Sequence, residues 1–360
     1  MDAVRAAGGP ASLDSDLVER WRALAELREN PFLTPEWYAA WLAAHPDEDP
    51  FVLLWQPGGE LRGVLPLVAT RERAVRVLRF AGARRADWLG PACRPEDEAA
   101  MAAACVEVLL QQRSAWHLFR LDRVDLAGAW PEALWSSEAP KGVAPGRSRR
   151  TDVLPFIRFG DGGYEAYLAD RSRNFRSQLG RRRRKLEREH GLRFRLTAEP
   201  ERLAADFEIF RALHEERWRD RGGSSSGDED VMRFQRGFAA AALERGWLRL
   251  WIAEADGVPA AAWYGWRIGG RYCYALSGLS ERFEPLALGT VLLAHTIEQA
   301  AVEGATVYDM MWGDEDYKRR FETGRREAAT WVVGRRRHPV ALAASARSAV
   351  EMKLRRAHDR

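Results

Sequence analysis

Two short turns do most to limit what this chain can become. Asp256-Gly257 and Gly269-Gly270 punctuate the stretch from Trp247 to Leu276, and Gly-bearing two-residue turns between β-prone runs mark tightly connected antiparallel strands. The reading is a meander, with strands over Trp247 to Ala255, Pro259 to Ile268 and Arg271 to Leu276. After Ser277-Gly278 and a loop through Pro285, Gly289 opens a helix to Glu303, and Gly304 ends it. Thr306 to Met311 then reads as a buried strand. It leads through the acidic turn Trp312-Gly313-Asp314-Glu315-Asp316 into a basic-aromatic helix start, Tyr317-Lys318-Arg319-Arg320-Phe321.

Upstream of the meander, Asp152 to Phe159 reads as a strand and Tyr164 to Leu168 begins a helix. That helix runs into nine basic residues between Arg171 and Arg188, opposed by Glu187. Phe175, Leu179 and Leu186 fall at helical spacing and give one narrow apolar stripe. The rest of that helix is either a clamp for phosphates, polyanionic glycan or RNA, or a solvated face whose arginines pair with acids elsewhere. Leu192 to Leu196 is a strand, and Leu203 to Arg219 a helix on which Phe207, Phe210, Leu213, His214 and Trp218 share a face. On such a face His214 reads as a packed residue rather than a base. Arg221 to Glu229 is a Gly/Ser loop, and Val231 to Arg245 a helix.

At 360 residues the chain exceeds one ordinary core, and domains of about 150 residues suggest two. In the first half, Asp16 caps a helix through Leu17, Trp21, Leu24 and Leu27. Thr34 with Pro35 starts a second, which presents Trp37, Trp41 and Ala44 together. Phe51 to Trp55 and Leu61 to Val68 form a hairpin across Gly58-Gly59, with Pro66 pointing to an edge or a bulge. A strand over Val75 to Phe80, a helix from Pro95 to about Arg113 and a strand over His117 to Leu121 complete this half. The resulting expectation is an α/β (α+β) mixed sheet: a flexible tail over 1–14, a first domain and linker over 15–150, a second domain over 151–334, and a tail over 335–360. Ala127 to Thr151 is the linker.

The net charge of +4 is small for this length and does not by itself call for a nucleic-acid partner. Three cysteines, Cys93, Cys105 and Cys273, stand far apart and match neither a disulfide framework nor a zinc site, so no metal is expected. The first residues lack a basic stretch followed by an apolar core, and no apolar run is long enough for a membrane span. A soluble, cytoplasmic protein is the expectation.

From spacing alone, Thr306 to Gly324 supports two readings. It is a strand end capped by solvated charges, or a strand delivering a carboxylate, a Gly turn and a Tyr-Lys pair to one sheet edge, where acyl transfer could be catalysed. Resemblance favours the second. The element order from Trp247 onward is similar to the core of the GNAT acyltransferases, and the chain resembles the CelD/BcsL type, built as two GNAT-like halves in tandem. Leu213-His214-Glu215-Glu216-Arg217-Trp218, Gly222, Gly246-Trp247-Leu248, Gly257 with Ala260-Ala261, and Leu288-Gly289-Thr290 carry that resemblance. Tyr308-Asp309, Gly313-Asp314 and Tyr317 to Phe321 are its most specific part. In the first half Asn30-Pro31-Phe32, Pro35-Glu36-Trp37, Leu65-Pro66-Leu67 and Asp87-Trp88-Leu89 match as well. Trp312-Gly313 and Lys318 with Phe321 also resemble the FemABX aminoacyl transferases.

The resemblance implies N-acyl transfer from acyl-CoA (acetyl-CoA in the simplest case) to an amine of a small molecule, sugar or envelope-polysaccharide precursor. It implies that Asp309 or Asp314 orients or deprotonates the acceptor, Lys318 stabilises the oxyanion and Tyr317 protonates the leaving thiolate. Since Tyr317 shares a helix face with Phe321, a core role for it stands beside the catalytic one. Leu288, Gly289 and Thr290 would hold the donor's phosphates at a helix N-terminus, and His214, Arg217, Trp218 and Trp312 would line the acceptor site. The usual glycine-rich phosphate loop is reduced here to Glu284-Pro285-Leu286-Ala287-Leu288-Gly289-Thr290. Two alternatives therefore stand beside the first: an aminoacyl-tRNA donor, and a non-catalytic GNAT-like protein binding a component of exopolysaccharide synthesis. A nucleic-acid binder acting through the arginine helix is a third.

Overall fold

A computed structural model describes residues 4–72, 74–112, 116–130, 143–219 and 229–335, with the isolated positions 339 and 343. The chain divides into two compact units, residues 1–154 with 326–360, and residues 155–325. Residues 220–228, which hold nearly all of the expected Gly/Ser loop, residues 131–142 of the expected linker and most of the C-terminal tail lie outside the described residues, while the linker from 143 to 151 is strand rather than loop.

In the first unit the order is β1 (Val4–Ala7), α1 (Ser15–Leu27), α2 (Pro35–Ala44), β2 (Asp49–Trp55), β3 (Gly63–Glu72), β4 (Val75–Phe80), β5 (Ala92–Cys93), α3 (Glu98–Gln111), β6 (Leu118–Asp125) and β7 (Val143–Arg158). Local chemistry sets the helix starts. Thr34 Oγ accepts the amide of Trp37 (3.1 Å), with Pro35 at the first helical position. In α1 the cap is Asp14 rather than Asp16: Asp14 accepts from the Leu17 amide, and Asp16 instead pairs with Arg20 one turn on. Residues 4–7, expected to fray, pair antiparallel with β2. Pro66 does not mark an edge; β3 lies between β2 and β4. Its carbonyl accepts from Ala81 at 3.1 Å. The missing N–H falls on that same side, beyond the last β3–β4 pair, Leu67 with Phe80, so no ladder bond is lost.

The second unit continues with α4 (Gly163–Ala169), α5 (Arg173–His190), β8 (Arg193–Leu196), α6 (Pro200–Trp218), α7 (Glu229–Glu244), β9 (Leu248–Ala255), β10 (Val258–Ile268), β11 (Arg271–Leu279), α8 (Leu288–Val302), β12 (Val307–Asp309) and α9 (Asp316–Arg319). β13 (Gly324–Arg335) follows, and from Arg326 on it belongs to the first unit. The expected single helix over the basic run is two, because Ser172 caps α5 afresh by accepting the amide of Phe175. Leu179 and Leu186 are buried as the stripe required, and Phe175 meets Phe321 edge-on at 5.0 Å.

Each unit holds a mixed sheet with the same sequence of strand directions. β8, β9, β10 and β11 are successively antiparallel, β11 is parallel to β12, and β12 is antiparallel to the end of β7. In the first unit β1, β2, β3 and β4 are antiparallel, β4 is parallel to β6, and β6 is antiparallel to β13. Among the described residues no helix is long and apolar enough to cross a membrane.

One core residue of the second unit carries an acid-stability prediction. His295 on α8 stacks on Phe194 at 3.9 Å and meets Trp251 edge-on, with neither ring nitrogen hydrogen-bonded. Burial, reinforced by the nearby Arg183, lowers its pKa to about 4 from 6.5. Because the folded value lies below the unfolded one, the contribution is full above pH 6.5 and is lost as pH falls towards 4. Its size is about 3 kcal/mol. Denaturant titrations at pH 7 and pH 4 are expected to show this loss shrinking by that amount in His295→Phe; an unchanged loss would contradict the assignment.

Candidate active site

The sheet of the second unit opens where β11 and β12 part. They pair over three positions only, from Arg271–Val307 to Cys273–Asp309. Opposite, in the β10–β11 ladder, Tyr264 pairs with Leu276 and Gly265 with Tyr274, so Ala275 is an extra residue in β11. Such a bulge bends its strand and sharpens the local twist, while β12 ends at Asp309 and the chain turns away at Met311 with φ of 59°. A cavity of about 250 Å³ occupies the gap, lined among others by Arg217, Tyr274, Ser277, Glu284, Gly289, Thr290 and Tyr317.

Helix α6 is seated on β11 by a glycine. A Cβ on Gly278 would stand 2.6 Å from the backbone nitrogen of His214 and from Leu213 Cβ, so no other residue lets the helix come this close. His214 Nδ1 donates to the carbonyl of Ser277 at 2.8 Å, and burial, with Arg217 adding to it, lowers the pKa of the ring. His214 thus stays neutral and fixes α6 on the strand. One turn on, Arg217 donates to Ser277 Oγ, which also accepts from the Tyr274 hydroxyl at 2.7 Å. Glu216 holds the following loop through Ser280 Oγ (2.9 Å) and the amide of Glu281 (2.8 Å).

The opposite wall is the start of α8. Ala287, at φ of 55°, is its N-cap and no side chain caps the helix; the Thr290 amide donates to the Ala287 carbonyl at 3.0 Å, which leaves the amides of Leu288 and Gly289 at the cavity end without intrahelical partners. A Cβ on Gly289 would meet only Leu279, at 3.5 Å. Tyr317, from α9, closes the cavity. Burial first, then the neighbouring Tyr274 and Glu315, push its phenol well above the usual tyrosine range, and it is held protonated.

Of the residues singled out by sequence, the cavity brings together Arg217, Gly289, Thr290 and Tyr317. The others lie elsewhere in the same unit. Asp309 is fully buried, paired with Arg271 at 3.1 Å and accepting the Met311 amide at 3.0 Å. Lys318 is buried too, its ammonium bound to the carbonyl of Trp312 (2.6 Å) and to Glu315 (3.0 Å). Both side chains are engaged in holding the turn. Asp314 is exposed, its pKa lowered by Arg319, and it also pairs with Arg325. The Leu288 side chain is core, leaving only its amide at the helix start. Trp218 and Trp312 are exposed outside the cavity. Sequence reasoning missed Tyr274 and Ser277 as lining groups; it ended the third strand at Leu276, where the bulge breaks the alternation begun by Tyr272 and Tyr274.

With this geometry in place, comparison with known proteins gives a consistent result. Residues 173–319, which hold every cavity residue, match the acetyltransferase (GNAT) domain family. The structure is similar to that of FemX, with a TM-score of 0.65 at 12% identity over 91% of this chain and 98% of that one. It is also similar to L-PGS from Bacillus licheniformis, with a TM-score of 0.56 at 14% identity over 95% and 96% of the two chains. Among curated protein sequences none matches. At these identities the structural likeness establishes the fold.

Proposed function

We propose that the chain is an acyltransferase that moves an acyl group from a thioester or ester donor to an amine in the cavity between β11, α6 and the start of α8. The observation that carries this reading is the pairing, in one cavity, of a protonated phenol with a guanidinium beside an uncapped helix N-terminus. A neutral amine attacks the donor carbonyl, the C–N bond forms, and negative charge collects on the carbonyl oxygen. Arg217 is the cation positioned to stabilise that charge. As the C–S or C–O bond breaks, the Tyr317 phenol gives its proton to the leaving atom, and the proton shed by the now positively charged nitrogen returns to the Tyr317 phenolate, which leaves a neutral amide and a restored phenol. Asp309, Asp314 and Lys318 shape the turn that carries Tyr317.

The start of α8 suits an anionic part of a donor through its free amides and the room at Gly289. Glu284, in the same cavity, opposes the pyrophosphate of coenzyme A. That opposition supports a second reading, an aminoacyl ester donor such as aminoacyl-tRNA, as the FemABX resemblance implies. The acceptor in either case is an amine on a small molecule, sugar or envelope-polysaccharide precursor.

Glu284→Gln separates the two donors. Removing a like charge near a bound pyrophosphate is expected to tighten acetyl-CoA roughly three- to tenfold, as for one modest charge interaction. Calorimetric titration reads it. A coenzyme A affinity that is measurable and does not rise in Glu284→Gln would show that the phosphates lie elsewhere; no measurable affinity in either protein turns the assignment to the aminoacyl ester.

A further inference from the structure

A second cavity in the same unit has no part in the chemistry above. Of about 530 Å³, it lies where α4 gives way to α5 and is lined by Asp170, Arg171, Asn174, Phe175, Gln178 and Arg320. Besides the Ser172 hydroxyl, which accepts the amide of Phe175 at 3.2 Å, its polar groups are of three kinds. Two guanidiniums enter it. Arg171 spends one nitrogen on the carbonyl of Glu322 (2.8 Å) and stacks over Tyr167, but its buried Nε has no partner among the described residues. Arg320 is exposed and takes part in no ion pair with any described residue. Beside them stand two side-chain amides, linked by the bond from Gln178 Nε2 to Asn174 Oδ1 at 3.0 Å, which leaves the Asn174 N–H₂ and the Gln178 carbonyl available. The third kind is the Asp170 carboxylate, and the ring of Phe175 supplies an apolar wall.

This set discriminates among ligands. Guanidiniums with donors to spare and no carboxylate partner are suited to a phosphate, which their planar donor fork matches in pairs of bonds. A site for a bare anion gains nothing from Asp170, whose charge repels it. A carboxylate beside two amides is instead suited to hydroxyl groups, since it accepts from them while the amides both donate and accept. An aromatic face completes a surface on which the C–H side of a pyranose packs. The volume falls in the usual range for a small organic ligand. On the exposed side of α5, Arg173 and Arg176 add positive potential without acidic partners among the described residues, whereas Arg183, Lys185 and Arg188 are paired.

We infer that this cavity binds a phosphorylated sugar, with the phosphate on Arg171 and Arg320 and the hydroxyls on Asp170, Asn174 and Gln178. Arg320 and Tyr317 are three residues apart on and just after α9, so the two cavities are separated by about one helical turn of backbone. A sugar phosphate held here is therefore close to the proposed transfer site, yet its binding does not depend on that chemistry.

The test is calorimetric titration of the full chain, with no acyl donor present, using glucose 1-phosphate, inorganic phosphate and glucose as separate probes. Glucose 1-phosphate is expected to bind most tightly. Arg320→Gln is expected to weaken it about tenfold or more, the value of one charge-assisted bond. Asp170→Asn is expected to weaken glucose 1-phosphate while leaving inorganic phosphate unchanged or tighter. Both changes are on exposed side chains, and an unshifted Tm in each confirms that the fold is retained. Saturation by inorganic phosphate as tightly as by glucose 1-phosphate would overturn the sugar assignment. Absence of saturable binding, or equal affinity in Arg320→Gln, would overturn the site. Because no donor is present, failure of acyl transfer in a separate assay leaves this result untouched.

Discussion

Tyr317→Phe is expected to lower turnover roughly a hundred- to ten-thousand-fold, the range for loss of a positioned general acid. The substitution removes one oxygen from a residue that is largely buried against Tyr274, so the packing of the ring is kept. Tm should move little, and donor affinity should stay within about threefold, because the phenol is asked to act on the leaving group only as its bond breaks. The assay follows donor consumption against a panel of primary amines and amino sugars. A kcat reduced with KM nearly unchanged supports the role. Activity within a few-fold of wild type would assign Tyr317 to the core it shares with Phe321, and the proposed mechanism would lose its acid.

Asp309→Ala is expected to destabilise the protein by about 3–5 kcal/mol, the cost of breaking one side of a buried ion pair. Asp309 is wholly buried on β12, where it holds Arg271 of β11 and the amide of Met311. Removing it leaves a guanidinium that is only 15% exposed and an amide inside the unit. It also loosens the last paired position before the strands part, Cys273 with Asp309. The loss should appear in the midpoint of urea unfolding, and any residual activity should follow the folded fraction. A protein of wild-type stability with abolished turnover would return Asp309 to a catalytic role and contradict the positioning role derived from its burial.

Much of the second unit was legible because its turns are written in residues with few conformational options. Asp256 and Gly257, both at positive φ, connect β9 to β10 as the two-residue turn required, and Gly304 at φ of 78° follows α8. Helix capping was legible for the same reason at Thr34, and mistaken by two residues at α1, where Asp14 and Asp16 offer the same carboxylate and only one meets the Leu17 amide. What could not be read was longer in range. β13 was missed although Thr330 to Val333 is a β-branched and aromatic run, because its partner β6 lies some 200 positions away, as in the bond from the Arg123 amide to Thr330 separated by 207 residues. The site itself divides along the same line. Tyr317 and Arg217 stood out as residue types, but whether a lysine or aspartate in one motif faces a cavity or clasps a turn depends on which backbone carbonyl comes within reach. Lys318 finds Trp312, and the sequence TVYDMMWGDEDYKRRFETG is the same in either case.

The most direct test of the account is an equilibrium titration of the wild-type protein and Gly289→Glu with acetyl-CoA, a longer acyl-CoA and an aminoacyl-tRNA. Gly289 has no positive φ and a Cβ there would meet only Leu279, at an ordinary contact distance of 3.5 Å, so the new side chain should be tolerated by the fold. It would place a carboxylate at the uncapped start of α8, against any anionic donor group held there. The account predicts that at least one donor binds the wild-type protein and that Gly289→Glu weakens it a hundredfold or more, as expected on order of magnitude for a like charge in a confined site. Equal binding to both proteins, or binding of no donor to either, would contradict the placement of acyl transfer in this cavity.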